Sequence, residues 1–399
     1  MHTHTPWNDL WSRVEAALSR ERAAAVEFRH DLHRHPELSR QERRTTSRLA
    51  EALGDLPVRV RRGKDGLGLI VDAGPDAPTR VCLRADIDAL ALDEESGVAF
   101  ASEHAGVMHA CGHDVHTSVV LAATRALVMG APEVPLRFLF QPAEEATPGG
   151  SLDLIAAGAV EGVSHILTVH CDPTRALGNV GLQAGALTAA ADVFEVTLRG
   201  NGGHGARPHE TQDLVLVGCE AVQALYHGLD RGVDARKPLA ISVGVFHAGR
   251  SSANVIPAEV FFSGTIRTTD RSVRDAVPAI LERVLGGIAA IWQVKYELVL
   301  TRGAPAVVND PAIVEALRLA SGDVVGAENI TPTGLPSMGG EDFAWYLDHV
   351  PGALLRLGTG VGAPLHSTRF AADDAAIDVG ARILANAALR LSRTGNASP

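Results

Sequence analysis

Hydrophobic and polar positions change their period several times along the chain, and the changes mark out its elements. Over residues 7–29 apolar side chains recur at helical spacing, which predicts an amphipathic helix. Ser39-x-x-Glu42 has the form of a capping box and predicts a second helix ending near Gly54. Between them His30, His33 and His35 fall in a helix-to-helix connection closed by Pro36, and they read as structural. At Val58 the pattern turns to short β-rich runs, 58–60, 67–71 and 80–83, parted by Gly, Pro and Asp turns.

Three apolar runs then share one sequel. Residues 81–83 lead into Asp86 and Asp88, residues 136–140 into Gln141-Pro142-Ala143-Glu144-Glu145, and residues 165–169 into His170. Helical patterns at 115–129 and 151–158 separate these strands, so the expected fold is α/β with a largely parallel sheet and helices on both faces. Ligands of such sheets bind outside the carboxyl ends of the strands, so polar residues from three strands should meet at one edge.

After Leu187 the texture shifts. Strands are predicted at 191–198, 239–245, 260–268 and 293–301, helices at 213–228 and 273–290, and a glycine-rich loop at 201–209. This β-α-β-β-α-β order is that of a ferredoxin-like α+β module. It places a small domain at 188–302, inserted into a larger one made of 1–187 and 303–399. The larger domain would resume with a helix near 311–321, a strand at 353–357 and a closing helix from Ala375, and the tail after Arg393 should fray.

Composition narrows the function. A chain of 399 residues is long enough for two cores, and 46% hydrophobic with 21% charged residues is ordinary for a globular protein. A net charge of -11 disfavours nucleic acid or an anionic membrane surface as partner, and favours a small-molecule substrate. The first residues lack a basic stretch followed by an apolar one, and no uncharged apolar run reaches the roughly 18 residues of a membrane span. A cytoplasmic protein is expected. Cys82, Cys111, Cys171 and Cys219 have no framework spacing, so reduced thiols are expected. Cys82 and Cys219 read as core residues; Cys171 is open between bystander, redox liability and minor ligand.

The densest chemistry lies in MHACGHDVHTS, residues 108–118. Cys111, His113, Asp114 and His116 stand within six residues, with His109 upstream, directly before an apolar helical run. Cysteine and histidine suit zinc and its first-row neighbours. The adjacent carboxylates Glu144 and Glu145, leaving a buried strand, point in different directions, so one can bind metal while the other faces a water.

In order, RADIDALAL, MHACGHDVHTS, QPAEE, GGHGARPH, ANVIPAE, SMGGEDF and PLHS resemble the M20 metallopeptidase family, in its amidohydrolase branch of aminoacylases, hippurate hydrolases and auxin-conjugate hydrolases. The resemblance runs from about His33 to Phe370. It implies a catalytic α/β domain binding two divalent metals (Zn, Mn, Co or Ni) and an inserted lid used for a homodimer or homotetramer. By motif it implies Cys111, His113, Glu145, His170 and His366 as metal ligands and Glu144 as general base. Within the lid it implies His204 as a donor to the oxyanion, in the same or a partner subunit, and Asn254 and Arg267 as holders of a substrate carboxylate.

Asp88 then reads as fixing the tautomer of a ligand histidine, and Asp86 as doing the same or touching metal. Asp114, Glu341 and Asp342 are further supporting candidates, while His109, His116, His209 and His247 stay open between function and structure. Ala91 stands where relatives usually have proline, and His366-Ser367-Thr368 where HSP is common, which affects loop geometry only. The implied reaction is hydrolysis of the amide of an N-acyl amino acid, of N-acetyl or N-benzoyl type, or a similar small conjugate, by a metal-activated water. The alternatives are a short-peptide hydrolase and a non-catalytic metal-containing ligand-binding protein.

Overall fold

A computed structural model of the chain describes residues 7–249 and 252–394. The six residues before Trp7, part of the stretch expected to lack a leader pattern, and the tail beyond Thr394, expected to fray, lie outside them. The chain divides into two compact units, Met1–Gly185 with Val307–Leu335 and Asp342–Pro399, and Ala186–Ala306 with Pro336–Glu341.

The first unit opens with α1 (Trp7–Arg34) and α2 (Arg43–Ala52), then β1 (Arg59–Arg62), β2 (Leu69–Ala73) and β3 (Arg80–Asp86). α3 (His113–Gly130), β4 (Leu136–Gln141), α4 (Ser151–Ala156), β5 (Val163–Asp172), β6 (Val180–Gly181) and β7 (Gly185–Ala186) follow. After the second unit come β14 (Val308–Asn309), α7 (Pro311–Val325), β15 (Ile330–Thr331), α8 (Ala344–Leu347), β16 (Gly352–Gly358) and α9 (Ala375–Thr394).

Eight strands form one mixed sheet in the order β1-β2-β4-β3-β5-β16-β6-β15. Its centre, β4-β3-β5-β16, is parallel, as the apolar runs predicted. The crossovers through α3 and α4 supply the length that parallel neighbours require. β1, β2 and β4 pair antiparallel, and β6 runs antiparallel to β16. The turn from β1 to β2 is too short for a crossover, so that edge forms a hairpin. Leu83, Leu167 and Leu355 of the sheet pack with Leu18 of α1, Val119 of α3 and Leu384 of α9 in one core.

Two helix boundaries differ from expectation. α1 runs on to Arg34, because the restriction that Pro36 imposes on its predecessor acts on His35 and not on the turn before it. Ser39 does not cap α2: its hydroxyl donates to Asp88 Oδ2 at 2.6 Å, and Glu42 occupies the cap position without a side-chain cap bond.

The second unit holds β8 (Ala190–Arg199), β9 (Gly203–His204), α5 (Leu214–Gly232), β10 (Ala240–Ala248), β11 (Val255–Ile256), β12 (Glu259–Thr268), α6 (Arg271–Trp292) and β13 (Lys295–Thr301). Its four long strands form the sheet β10-β12-β8-β13, antiparallel throughout, which is the ferredoxin-like arrangement. Phe194, Val196 and Phe262 of the sheet pack against Val217 and Leu225 of α5 and Leu281 of α6. Cys219, expected in this core, is exposed. The buried stripe of α5 uses Leu214, Val217, Gly218 and Ala221, and helical periodicity turns position 219 outward.

Candidate metal centre

The carboxyl ends of β3, β4 and β5 bring their polar sequels together. β3 ends at Asp86, β4 leads into Glu144 and Glu145, β5 carries His170, and α3 begins at His113 beside them. Gly112 makes the entry to α3 possible: its φ of 85° is left-handed, and a Cβ there would stand 2.7 Å from Cys171 Sγ. Ala143 also has a left-handed backbone, φ 54°. Two carboxylates hold its loop: Glu42 Oε1 accepts the Ala143 N–H at 2.7 Å, and Asp88 Oδ2 accepts the Glu145 N–H at 3.0 Å.

His113 donates from Nδ1 to the Asp88 carbonyl at 2.9 Å and to Asp88 Oδ1 at 3.1 Å. Its lone pair is thereby placed on Nε2, which is buried without a hydrogen-bond partner. Around that atom stand Glu144 Oε2 at 3.8 Å, Glu145 Oε1 at 3.9 Å and Asp86 Oδ2 at 3.9 Å. His170 repeats the arrangement: Nδ1 donates to the Cys171 carbonyl at 2.9 Å, and Nε2 lies 3.6 Å from Cys111 Sγ. His366 Nε2 lies 3.3 Å from Glu145 Oε1. Ligand atoms of Cys111, His113 and His170 lie within 4.8 Å of one another, and so do those of Cys111, Glu145 and His366. The two triads share the Cys111 sulfur.

These residues fit divalent cations. Burial opposes a charge on His113, yet Asp86, Cys111 and Asp88 raise its pKa well above the ordinary value. A field that strengthens proton binding at Nε2 also strengthens binding of a metal cation there. Burial raises the Cys111 thiol pKa, which leaves metal coordination as the means of forming a thiolate.

Asp86 is buried beside His113, but its hydrogen bonds go to residues outside the two triads. It accepts from His116 Nδ1 at 2.7 Å and Arg84 Nη1 at 2.7 Å. Against the upward push of burial, His113, His116 and Arg84 hold its pKa well below the usual carboxylate range. His116 Nε2 accepts the Cys171 N–H at 2.8 Å, so both of its nitrogens are engaged in joining β3 to β5. Asp342 accepts from Arg84, Gln141 and the Ser151 N–H, while its own N–H reaches Glu144 Oε1 at 3.4 Å.

Asp114 takes Arg29 Nε and His33 Nδ1 on one oxygen, each at 2.9 Å. Burial disfavours charge on His33, but Asp114 and Glu94 raise its pKa to about 9. His109, with neither ring nitrogen hydrogen-bonded, is pushed down to about 4 by burial. Cys171 lies buried against Gly112. Glu42 was the residue least visible beforehand: burial and Asp88 raise its carboxyl to about 7.

The remaining sequence candidates belong to the second unit. His204 pairs with Val255 across β9 and β11, and the Gly205 N–H donates to the Asn254 carbonyl at 2.7 Å, so the glycine-rich loop and the ANVIPAE segment meet. His204 and Asn254 are exposed, as are His209 and His247. Arg267 donates from Nη1 to the Met338 carbonyl at 2.7 Å, and Glu341 is buried.

Residues 82–390 match the model of peptidase family M20/M25/M40. A presumed hydrolase of Synechocystis is 41% identical over 372 residues, 91% of this chain and 94% of that protein. The N-acetyl-L-cysteine deacetylase of Bacillus subtilis is 36% identical over 394 residues, 97% of this chain and 94% of that protein. A presumed glutamate–cysteine ligase of Rhodococcus jostii is 42% identical over 90% of this chain, which spans only 46% of that longer protein. Among solved structures, a presumed aminohydrolase of methicillin-resistant Staphylococcus aureus superposes with a TM-score of 0.90 at 29% identity, covering 95% of this chain and 99% of that one. A Bacillus subtilis protein described as a dinuclear metal binding peptidase from the M20 family gives 0.81 at 31% identity, with the same coverage. The chain belongs to peptidase family M20/M25/M40 and is an enzyme acting on amides.

Proposed function

We propose that this enzyme hydrolyses the amide bond of N-acyl amino acids, of N-acetyl or N-benzoyl type, or of similar small conjugates. Two divalent metal ions would be held by Cys111, His113, Glu145, His170 and His366. The observation that carries this reading is His113 Nε2, buried, unpartnered and within 4 Å of three carboxylates. The deacetylase relative, whose name specifies an N-acetyl amino acid, supports the substrate class.

Metal ions at these ligands would supply Lewis acidity toward the amide carbonyl and toward water. Glu144 takes the proton of the attacking water and returns it to the departing amine nitrogen. Its carboxylate is suited to this: Oε2 faces the spot marked by His113 Nε2, while the Asp342 N–H steadies Oε1. Asp88 holds the His113 tautomer and the Glu145 backbone together. In the second unit His204 Nδ1 accepts the Ala206 N–H at 3.1 Å, which leaves Nε2–H as the donor that a developing oxyanion needs. Asn254 and Arg267 are assigned to a substrate carboxylate, and the second unit to the roles of lid and subunit contact.

Amine release from N-acetyl, N-benzoyl and dipeptide substrates, with and without chelator, tests the proposal. Release from the N-acyl amino acids, abolished by chelator and restored by Zn, Mn, Co or Ni, is expected. Preference for dipeptides would favour a peptide hydrolase. Two bound metals without any release would refute hydrolysis in favour of a binding protein.

A further inference from the structure

β16 places one more side chain beside the metal centre. Arg356 is the register partner of His170 on β5 and of Gly181 on β6, so its side chain leaves the sheet on the same face as the His170 imidazole. Its neighbours Leu355 and Leu357 point to the opposite face, into the core. The residue is partly exposed, and no described residue offers its guanidinium a hydrogen bond or an ion pair. Its charge nevertheless acts on His170.

Arg175 provides the contrast. That side chain lies over Gly181, where a Cβ would stand 2.7 Å from its guanidinium carbon, so it shares the face of Arg356. Arg175 is fully engaged, by Asp172 Oδ2 at 2.8 Å, Thr331 Oγ1 and the Pro332 carbonyl at 3.0 Å. A half-buried arginine is ordinarily paired in this way, because loss of water must be compensated. Arg356 has no such compensation among the described residues, and it stands next to His170, one of the proposed metal ligands.

We infer that Arg356 is a substrate-binding residue whose guanidinium takes a carboxylate of the substrate beside His170. A planar fork of donors with no internal partner suits a carboxylate, which can be held by two parallel bonds. The carboxylate is either the α-carboxylate of the amino-acid part or one carried by the acyl group, as in a succinyl conjugate. The inference rests on the amide-hydrolase reading of the same site, and adds a specificity determinant within the first unit.

Three substrates separate the sources: N-acetyl-L-methionine, N-succinyl-L-methionine methyl ester, and N-acetyl-L-methionine methyl ester, which carries neither carboxylate. Each is assayed with the metal-loaded wild type, Arg356→Gln and Arg356→Lys. A charge-assisted hydrogen bond of ordinary strength corresponds to a KM rise of roughly 10- to 100-fold in the glutamine variant. kcat should change less than about threefold, and lysine should restore part of the loss. A rise confined to N-acetyl-L-methionine assigns the α-carboxylate, and one confined to the succinyl ester assigns the acyl end. The doubly neutral ester should be unaffected.

Binding of L-methionine and of succinate, measured by calorimetry on the same proteins, provides a readout independent of turnover. Weaker binding of either by Arg356→Gln supports the inference even if no amide is cleaved, in which case only the hydrolase reading fails. Binding and KM unchanged within about threefold for every compound, with turnover intact, would overturn the inference alone. Because the Arg356 side chain makes no hydrogen bond or ion pair to other described residues, its replacement should leave the fold intact.

Discussion

Replacing Glu42 with glutamine should change how stability depends on pH while leaving the catalytic loop in place. Glu42 is fully buried, with Oε1 accepting the Ala143 N–H and Oε2 without a partner. Burial first, and the nearby Asp88 charge second, raise its pKa from an ordinary 4.5 to about 7. A carboxyl with a raised folded-state pKa lets the folded protein keep a proton that the unfolded chain has released. Its contribution is therefore fully present below pH 4.5 and declines as pH rises toward 7. At about 1.36 kcal/mol per pH unit over that interval, the loss amounts to about 3 kcal/mol at pH 8. Glutamine keeps an acceptor for the Ala143 N–H and does not ionise, so it escapes the loss. Urea unfolding of the chelator-treated proteins would measure this, since bound metal would add positive charge of its own. Trp7, Trp11 and Trp345 report on the first unit and Trp292 on the second, which keeps the two transitions distinct. Relative to wild type, Glu42→Gln should gain about 2.5 kcal/mol between pH 5 and pH 8. A difference that stays flat within about 0.5 kcal/mol over that range would refute the assignment of a raised Glu42 pKa.

Glu144→Gln should lower kcat by roughly 100- to 10,000-fold with metal content unchanged by elemental analysis, since it removes the proton carrier and no ligand. Cys111→Ser should lower metal content and activity together, whereas Cys219→Ser, on the exposed side of α5, should alter neither. Asp88→Asn should weaken metal affinity by roughly 10- to 100-fold in a competition titration, because the amide cannot accept from both His113 Nδ1 and the Glu145 N–H as the carboxylate does. Retention of wild-type affinity in that variant would show that Asp88 does not orient His113.

How much of this was legible follows from the distance over which each residue acts. The runs before Asp86, Glu144 and His170 each join a buried strand to a polar end, a local pattern, and they predicted the edge at which these residues meet. The strand and helix order of the second unit was equally local, and its ferredoxin-like sheet followed. Glu42 was misread because its motif is local and its partner is not: a Ser-x-x-Glu pattern says capping box, while the carboxylate serves Ala143, about 100 residues on. The Arg84–Asp342 pair spans 258 residues and leaves no periodic trace. The antiparallel margins of the sheet were missed for a related reason, since strand direction at an edge depends on connection length and not on apolar content. Cys219 shows the limit of an apolar run as a guide to burial, because its helix is apolar on more than the face that packs.

The His366 side chain is 54% exposed and sits on a left-handed backbone with φ 61°, while Cys111, His113 and His170 are buried. If each triad holds one of the two proposed ions, the two ions should differ in how readily they leave. An ion held by Cys111, Glu145 and His366 would depend on one solvent-exposed ligand, whereas one held by Cys111, His113 and His170 would have buried ligands only. Metal loss should accordingly be stepwise, with a fast-exchanging equivalent and a slow one. A preparation purified through chelating steps would then retain half its metal and yet contain no fully loaded enzyme, so metal per chain and the fraction of active molecules would be different quantities.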